Sequence, residues 1–157
     1  MPDPSPEAVD CGAFWTYANT LWGRPHARDI LLRWQDRYAV DVILALFALW
    51  YPRALRRQQW QTLQATALHW QQTRTGRIRA LRRRLHSPQR HALYRALLEL
   101  ELRAERLAAW TLCAQARDLA PSNAPSDPAA RLAMLFPALP AHEIDTALRS
   151  LAPERYL

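Results

Sequence analysis

Between Trp60 and Leu85 the residues Trp60, Leu63, Ala67, Trp70, Arg74, Ile78, Leu81 and Leu85 recur at intervals of three or four. Turned by 100° per residue they fall within one stripe about 80° wide, the pattern of a helix buried along a single face. The phase carries through Gly76, so the spacing predicts one helix from about Arg57 to His86. Ser87-Pro88 reads as a stop and restart, with Ser as cap and Pro at the first helical position. A second stripe follows to about Ala116: Leu93, Leu97, Leu100, Ala104, Leu107, Thr111 and Ala114. Two helices of similar length joined by so short a turn form an antiparallel hairpin.

The rest of the chain agrees with an all-α fold. Sheets need glycine for tight turns, and only Gly12, Gly23 and Gly76 are present. Asp10 caps a first helix to about Trp22, and Pro25 opens a second to about Tyr38. Asp41 caps a third, VILALFALWY, which is apolar all round and therefore belongs at the centre of the core. Two short helices, 128–135 and 140–151, are expected after a linker. The expected organisation is one helical domain over 10–118, a linker over 119–127 and a loosely tied helical extension over 128–157. Tyr94, Leu98 and Leu102 make a second apolar face on the hairpin, which the first helices or the tail should cover, an interface for a partner or a second copy being the alternative.

Charge is unevenly placed. The stretch Val42–Leu98 has no Asp or Glu and eleven arginines. The rest of the chain sets ten arginines against fourteen acids, and the total is +7. The absence of lysine is most simply a compositional bias toward arginine codons. On the helical wheel Arg77, Arg79, Arg82, Arg83 and Arg84 spread over the arc opposite the apolar stripe, which gives a basic ridge. Its expected customer is an acidic protein, with RNA or DNA bound without sequence preference as the alternative. Arg74 differs because it lies within the stripe. A guanidinium at a core edge needs a carboxylate, and folding the hairpin about Ser87 brings Arg74 level with Glu99 and Glu101. A structural ion pair to one of them is expected, with Glu105 helping to neutralise the basic helix.

Signals for chemistry are few. Asp36 and Asp41 could form a carboxylate site, the third functional reading, but they straddle a helix break and Asp41 is better placed as a cap. The five histidines are dispersed, Cys11 and Cys113 are far apart in sequence, and no glycine-rich phosphate loop or G-x-S-x-G motif occurs. No cofactor, metal or catalytic residue is expected. The longest apolar run has ten residues, too short for a membrane span. The N-terminus is acidic and rich in proline, unlike a leader peptide. These features lead to the expectation of a cytoplasmic, non-enzymatic binding or adaptor protein with reduced thiols and an oligomeric state left open.

The residues Phe14-Trp15, Leu21, Leu32, Gln35-Asp36, Asp41-Val42, Leu44, Leu46-Phe47 and Leu49-Trp50 form a pattern that continues through RALRRRL (Arg79–Leu85), Tyr94 and LELELRAER. Over about residues 13–115 this resembles the uncharacterised proteobacterial domain-of-unknown-function family 2390. In that family's pattern Asn commonly follows Asp-Val, whereas this chain has Ile43. The resemblance implies a helical protein and brings no activity with it.

Overall fold

The structure, a computed structural model, describes residues 9–85, 91–119 and 127–151. Helices α1 (Cys11–Trp22), α2 (Pro25–Tyr38) and α3 (Val42–Trp50) are followed by α4 (Arg57–Trp70), a π-helical turn (Gln71–Thr75) and α5 (Gly76–Arg84). Then come α6 (His91–Arg117), α7 (Pro128–Leu135) and α8 (Ala141–Leu151), and the fold is all-α. The expected Ser87-Pro88 turn and most of the linker lie outside the described residues.

Local chemistry sets the helix ends. The Asp10 carboxylate accepts from the N–H groups of Gly12 and Ala13, and Asp127 accepts from that of Ala129. Ala39 closes α2 in the left-handed conformation, with φ of 53°. Tyr51 and Pro52 end α3, since proline supplies no N–H to continue the ladder.

Helix α3 is the hub. Leu44, Ala45, Leu46, Phe47 and Ala48 are all buried, and α1, α2, α4, α6 and α7 pack around them. Phe47 sits among the rings of Phe14, Trp50, Tyr51 and Trp60 at centroid distances of 5.0–6.0 Å. Apolar area removed from water is what holds this centre together.

The C-terminal helices are integral to that core and not the loosely tied extension expected. Leu132, Leu135, Ile144 and Leu151 join the same apolar cluster. Helix α7 packs on α3 and α4, and α8 on α2. Arg131 is buried and donates to the carbonyls of Ala48, Tyr51 and Arg53 at 2.7–3.0 Å, satisfying the C-terminal end of α3. Glu143 accepts from Arg33 and from the Trp34 indole, tying α8 to α2.

The cysteines also depart from expectation. Instead of reduced thiols, Cys11 and Cys113 form a disulfide with Cα atoms 5.7 Å apart, joining the start of α1 to α6. Their distance in sequence hid this, because the fold alone brings the two helices side by side.

Candidate functional site: a cleft between the first helices and the hairpin

The π-helical turn determines which side chains reach the site. Within it the Gly76 N–H bonds to the Gln71 carbonyl, five residues back, where an α-helix would reach back four. One residue is thereby inserted, and the helix face advances by about 100°. Before the turn, Trp60, Leu63 and Ala67 are buried in the predicted phase. After it the inward phase passes to Thr75, which is buried, and to Arg79 and Arg82, while Arg74 and Leu81 turn out to solvent. A side chain at Gly76 would place its Cβ against the Gln71 carbonyl oxygen, so glycine is required by the turn.

The shift rewrites the expected ion pairs. Arg74 lies 4.4 Å over the Trp70 ring and is exposed, and it is not the partner of Glu101. Glu99 is exposed as well. Glu101 instead takes Arg79 Nε at 2.8 Å and Arg82 Nε at 2.5 Å. Arg79 Nη2 reaches Glu105 at 3.0 Å, and Arg82 Nη1 donates to the Tyr94 hydroxyl at 3.1 Å. Arg79 and Arg82 therefore do not belong to an outward ridge. Of the five arginines assigned to it, Arg77, Arg83 and Arg84 remain exposed.

Because charged side chains occupy the seam of the outer hairpin, its leucines are left uncovered. Leu93, Leu100 and Leu107 of the expected stripe are exposed while Leu97 and Ala104 are buried, and Leu98 and Leu102 of the second face are exposed as well.

Between α1–α3 and the hairpin lies a cleft of about 330 Å³. Its walls include Trp15 and Trp22 of α1, Leu32 of α2, Ile43 and Leu46 of α3, Trp70 of α4, and Leu98 and Leu102 of α6. Its floor is charged: Asp41, Arg79, Arg82, Glu101 and Glu105 all line it, with Thr75 and Gln71 of the π-helical turn beside them. Asp36 is exposed and is not among the lining residues, so Asp36 and Asp41 are not brought together.

The floor's acids differ in environment. Burial pushes the Asp41 carboxyl above its ordinary value, against the Leu44 N–H that it accepts at 2.9 Å as the cap of α3 and against the nearby charge of Arg79. Burial also pushes Glu105 up, opposed by Arg79 and reinforced by the charge of Glu101. Burial acts the same way on Glu101, but hydrogen bonds from Arg82 and Arg79 outweigh it and hold that carboxyl below its ordinary value. The cleft therefore combines aromatic and aliphatic walls with convergent, perturbed polar groups, the usual make-up of a small-molecule site.

Sequence reasoning passed over Trp15 and Trp22 as site residues, because the cleft is assembled from helices far apart in the chain. One signal was available. Thr73, Thr75 and Gly76 are weak helix formers grouped in mid-helix, where a change of phase is easiest.

Among the described residues no three or more His, Cys, Asp or Glu side chains gather as a metal-ligand set. No helix among them is long and apolar enough to cross a membrane. No curated protein and no solved structure matches the chain. A family model, that of a protein of unknown function (DUF2390), matches residues 13–112, a span that contains every cleft residue named above and stops short of α7 and α8. The chain belongs to the DUF2390 family.

Proposed function

We propose that this protein is a non-enzymatic binding module whose ligand is a small amphipathic molecule held in the cleft. The observation that carries the reading is the pairing of tryptophan-rich walls with a charged floor in one concavity. The floor is preorganised, because Arg79 and Arg82 are already fixed by Glu101, Glu105 and Tyr94 and need little further ordering when a ligand arrives. The π-helical turn beside it fits the same reading, since such turns are frequent at functional sites.

Indole N–H resonances provide the test. A panel of small amphipathic compounds should include members that move the signals of Trp15, Trp22 and Trp70 while leaving the core residues Trp34 and Trp60 in place. A panel that moves none of the three wall indoles counts against the reading.

A second reading keeps the hairpin as a contact surface for an acidic protein, now through Arg77, Arg83 and Arg84, which are the exposed members of the ridge. Changing all three to Gln should abolish capture of such a partner. Nucleic acid would be bound through the same three side chains, and its affinity would fall with salt with a log–log slope near −3, about −0.9 per phosphate neutralised. A cytoplasmic location was expected to keep the thiols reduced, and the Cys11–Cys113 bridge weighs against that reading. Trapping the thiols in intact cells before lysis decides the compartment.

A further inference from the structure

We infer that the ligand of the cleft is an organic cation, an ammonium or guanidinium group on an apolar body, with the cation seated at Asp41 and Glu105; this rests on the cleft being a ligand site. Three carboxylates, Asp41, Glu101 and Glu105, line the floor against two guanidiniums, Arg79 and Arg82. Those guanidiniums are already engaged. Arg79 uses Nε and Nη2 on Glu101 and Glu105, and Arg82 uses Nε and Nη1 on Glu101 and Tyr94. An incoming anion would find only the remaining Nη donors of Arg79 and Arg82, with the Glu101 and Glu105 carboxylates beside them to repel it. A cation meets carboxylates with capacity to spare.

Asp41 is the clearest of these. Its side chain accepts the Leu44 N–H, and among the described residues no guanidinium is hydrogen-bonded to it. Glu105 has one such bond, from Arg79. Burial holds both carboxyls above their ordinary values, a desolvation cost that pairing with an incoming cation would offset. Arg83 also lines the cleft, but it is exposed and its charge is screened by solvent. The apolar body would lie against Trp15, Trp22, Leu46 and Leu98. Tryptophan faces also favour a cation over a neutral group, and Arg74 over Trp70 and Arg106 over Trp15 already use that attraction.

The test uses the full chain and three probes of matched shape: 4-phenylbutylammonium, 4-phenylbutan-1-ol and 5-phenylpentanoate. Binding is read by calorimetry and by the indole resonances of Trp15, Trp22 and Trp70. The ammonium should bind at least about tenfold more tightly than the alcohol, with the pentanoate weakest. Asp41→Asn keeps a capping side chain on α3 while removing the charge, and Glu105→Gln removes the second charge. Each variant should reduce the preference for the ammonium, and the pair together should abolish it. Equal or tighter binding of the alcohol or the pentanoate overturns the cation inference and leaves the cleft as a ligand site. A preference for the ammonium that survives both substitutions overturns the assignment to Asp41 and Glu105. Binding of none of the three overturns the inference and the cleft reading together.

Discussion

The two ends of the hairpin are held by different forces. At the inner end Trp60, Leu63 and Ala67 bury against α3, and α6 contributes Ala109, Leu112, Cys113 and Ala116 to the same dry core. At the outer end α5 has no buried residue, and its link to α6 runs through Arg79, Arg82, Glu101, Glu105 and Tyr94. Apolar burial is non-directional and scales with area, so the inner end supplies stability. Ion pairs of this kind add little net free energy but fix a register, so the outer end supplies geometry. Here that geometry forms the floor of the cleft.

Substitutions at both ends break or sharpen the contrast, the largest effect first. Phe47→Ala removes a ring with no exposed area from the centre of the core and should cost about 3–5 kcal/mol in global unfolding by denaturant. The matched change at the outer end, Leu81→Ala at 47% exposure, should stay within about 0.5 kcal/mol.

Glu101→Gln comes second. It leaves Arg79 and Arg82 facing a neutral amide, and because those side chains are partly exposed the expected cost is about 2 kcal/mol rather than the full buried-pair value. Hydrogen exchange should quicken in α5 and the first half of α6 while α3 keeps its protection. The pH dependence has two opposite parts. Glu101, held below its ordinary value, stabilises the fold above the usual carboxylate range, and that contribution is lost as pH falls through its folded value. Asp41 and Glu105, held above theirs, act in reverse: their contribution is present at low pH and is lost as pH rises through their folded values. Stability of the hairpin should therefore peak at mildly acid pH. Asp41→Asn should flatten the alkaline side of that peak, as followed by melting at a series of pH values.

The smallest expected effect concerns Gly76. In an ordinary helix interior Gly→Ala gains about 1 kcal/mol. Here the new Cβ meets the Gln71 carbonyl, so Gly76→Ala should instead lose about 1 kcal/mol. A stabilised Gly76→Ala protein would mean that the helix runs on without the inserted residue, and the inward placement of Arg79 and Arg82 would fall with it.

Much of the fold was legible in the sequence because its determinants are local. Asp10, Asp41 and Asp127 cap at their own positions, and the apolar run of α3 announces a surrounded helix. The site was less legible for a definite reason. Helical-wheel reasoning advances 100° at every residue, and a single π-helical turn breaks that rule for everything after it. Leu81 was placed inside and Arg79 and Arg82 outside; one extra residue exchanged them and left Ile78 half-buried. Arg131 was not singled out at all, since its partners are carbonyls some eighty residues away. The Cys11–Cys113 pairing was likewise invisible, because only the packing of α1 on α6 brings the sulfurs together.

That bridge has a topological consequence. The segment from Cys11 to Cys113, a sequence separation of 102, becomes a covalently closed ring, and its ends lie just outside the span 13–112 that defines the family. A single peptide-bond cut anywhere inside the ring releases no fragment, and the nicked chain runs as two pieces only after a reductant opens the bridge. Helices α7 and α8 lie outside the ring. A cut between Cys113 and Asp127 leaves them attached by non-covalent contacts alone, among them apolar packing, the grip of Arg131 on α3, the bond from Gln64 to the Leu135 carbonyl and the grip of Glu143 on α2.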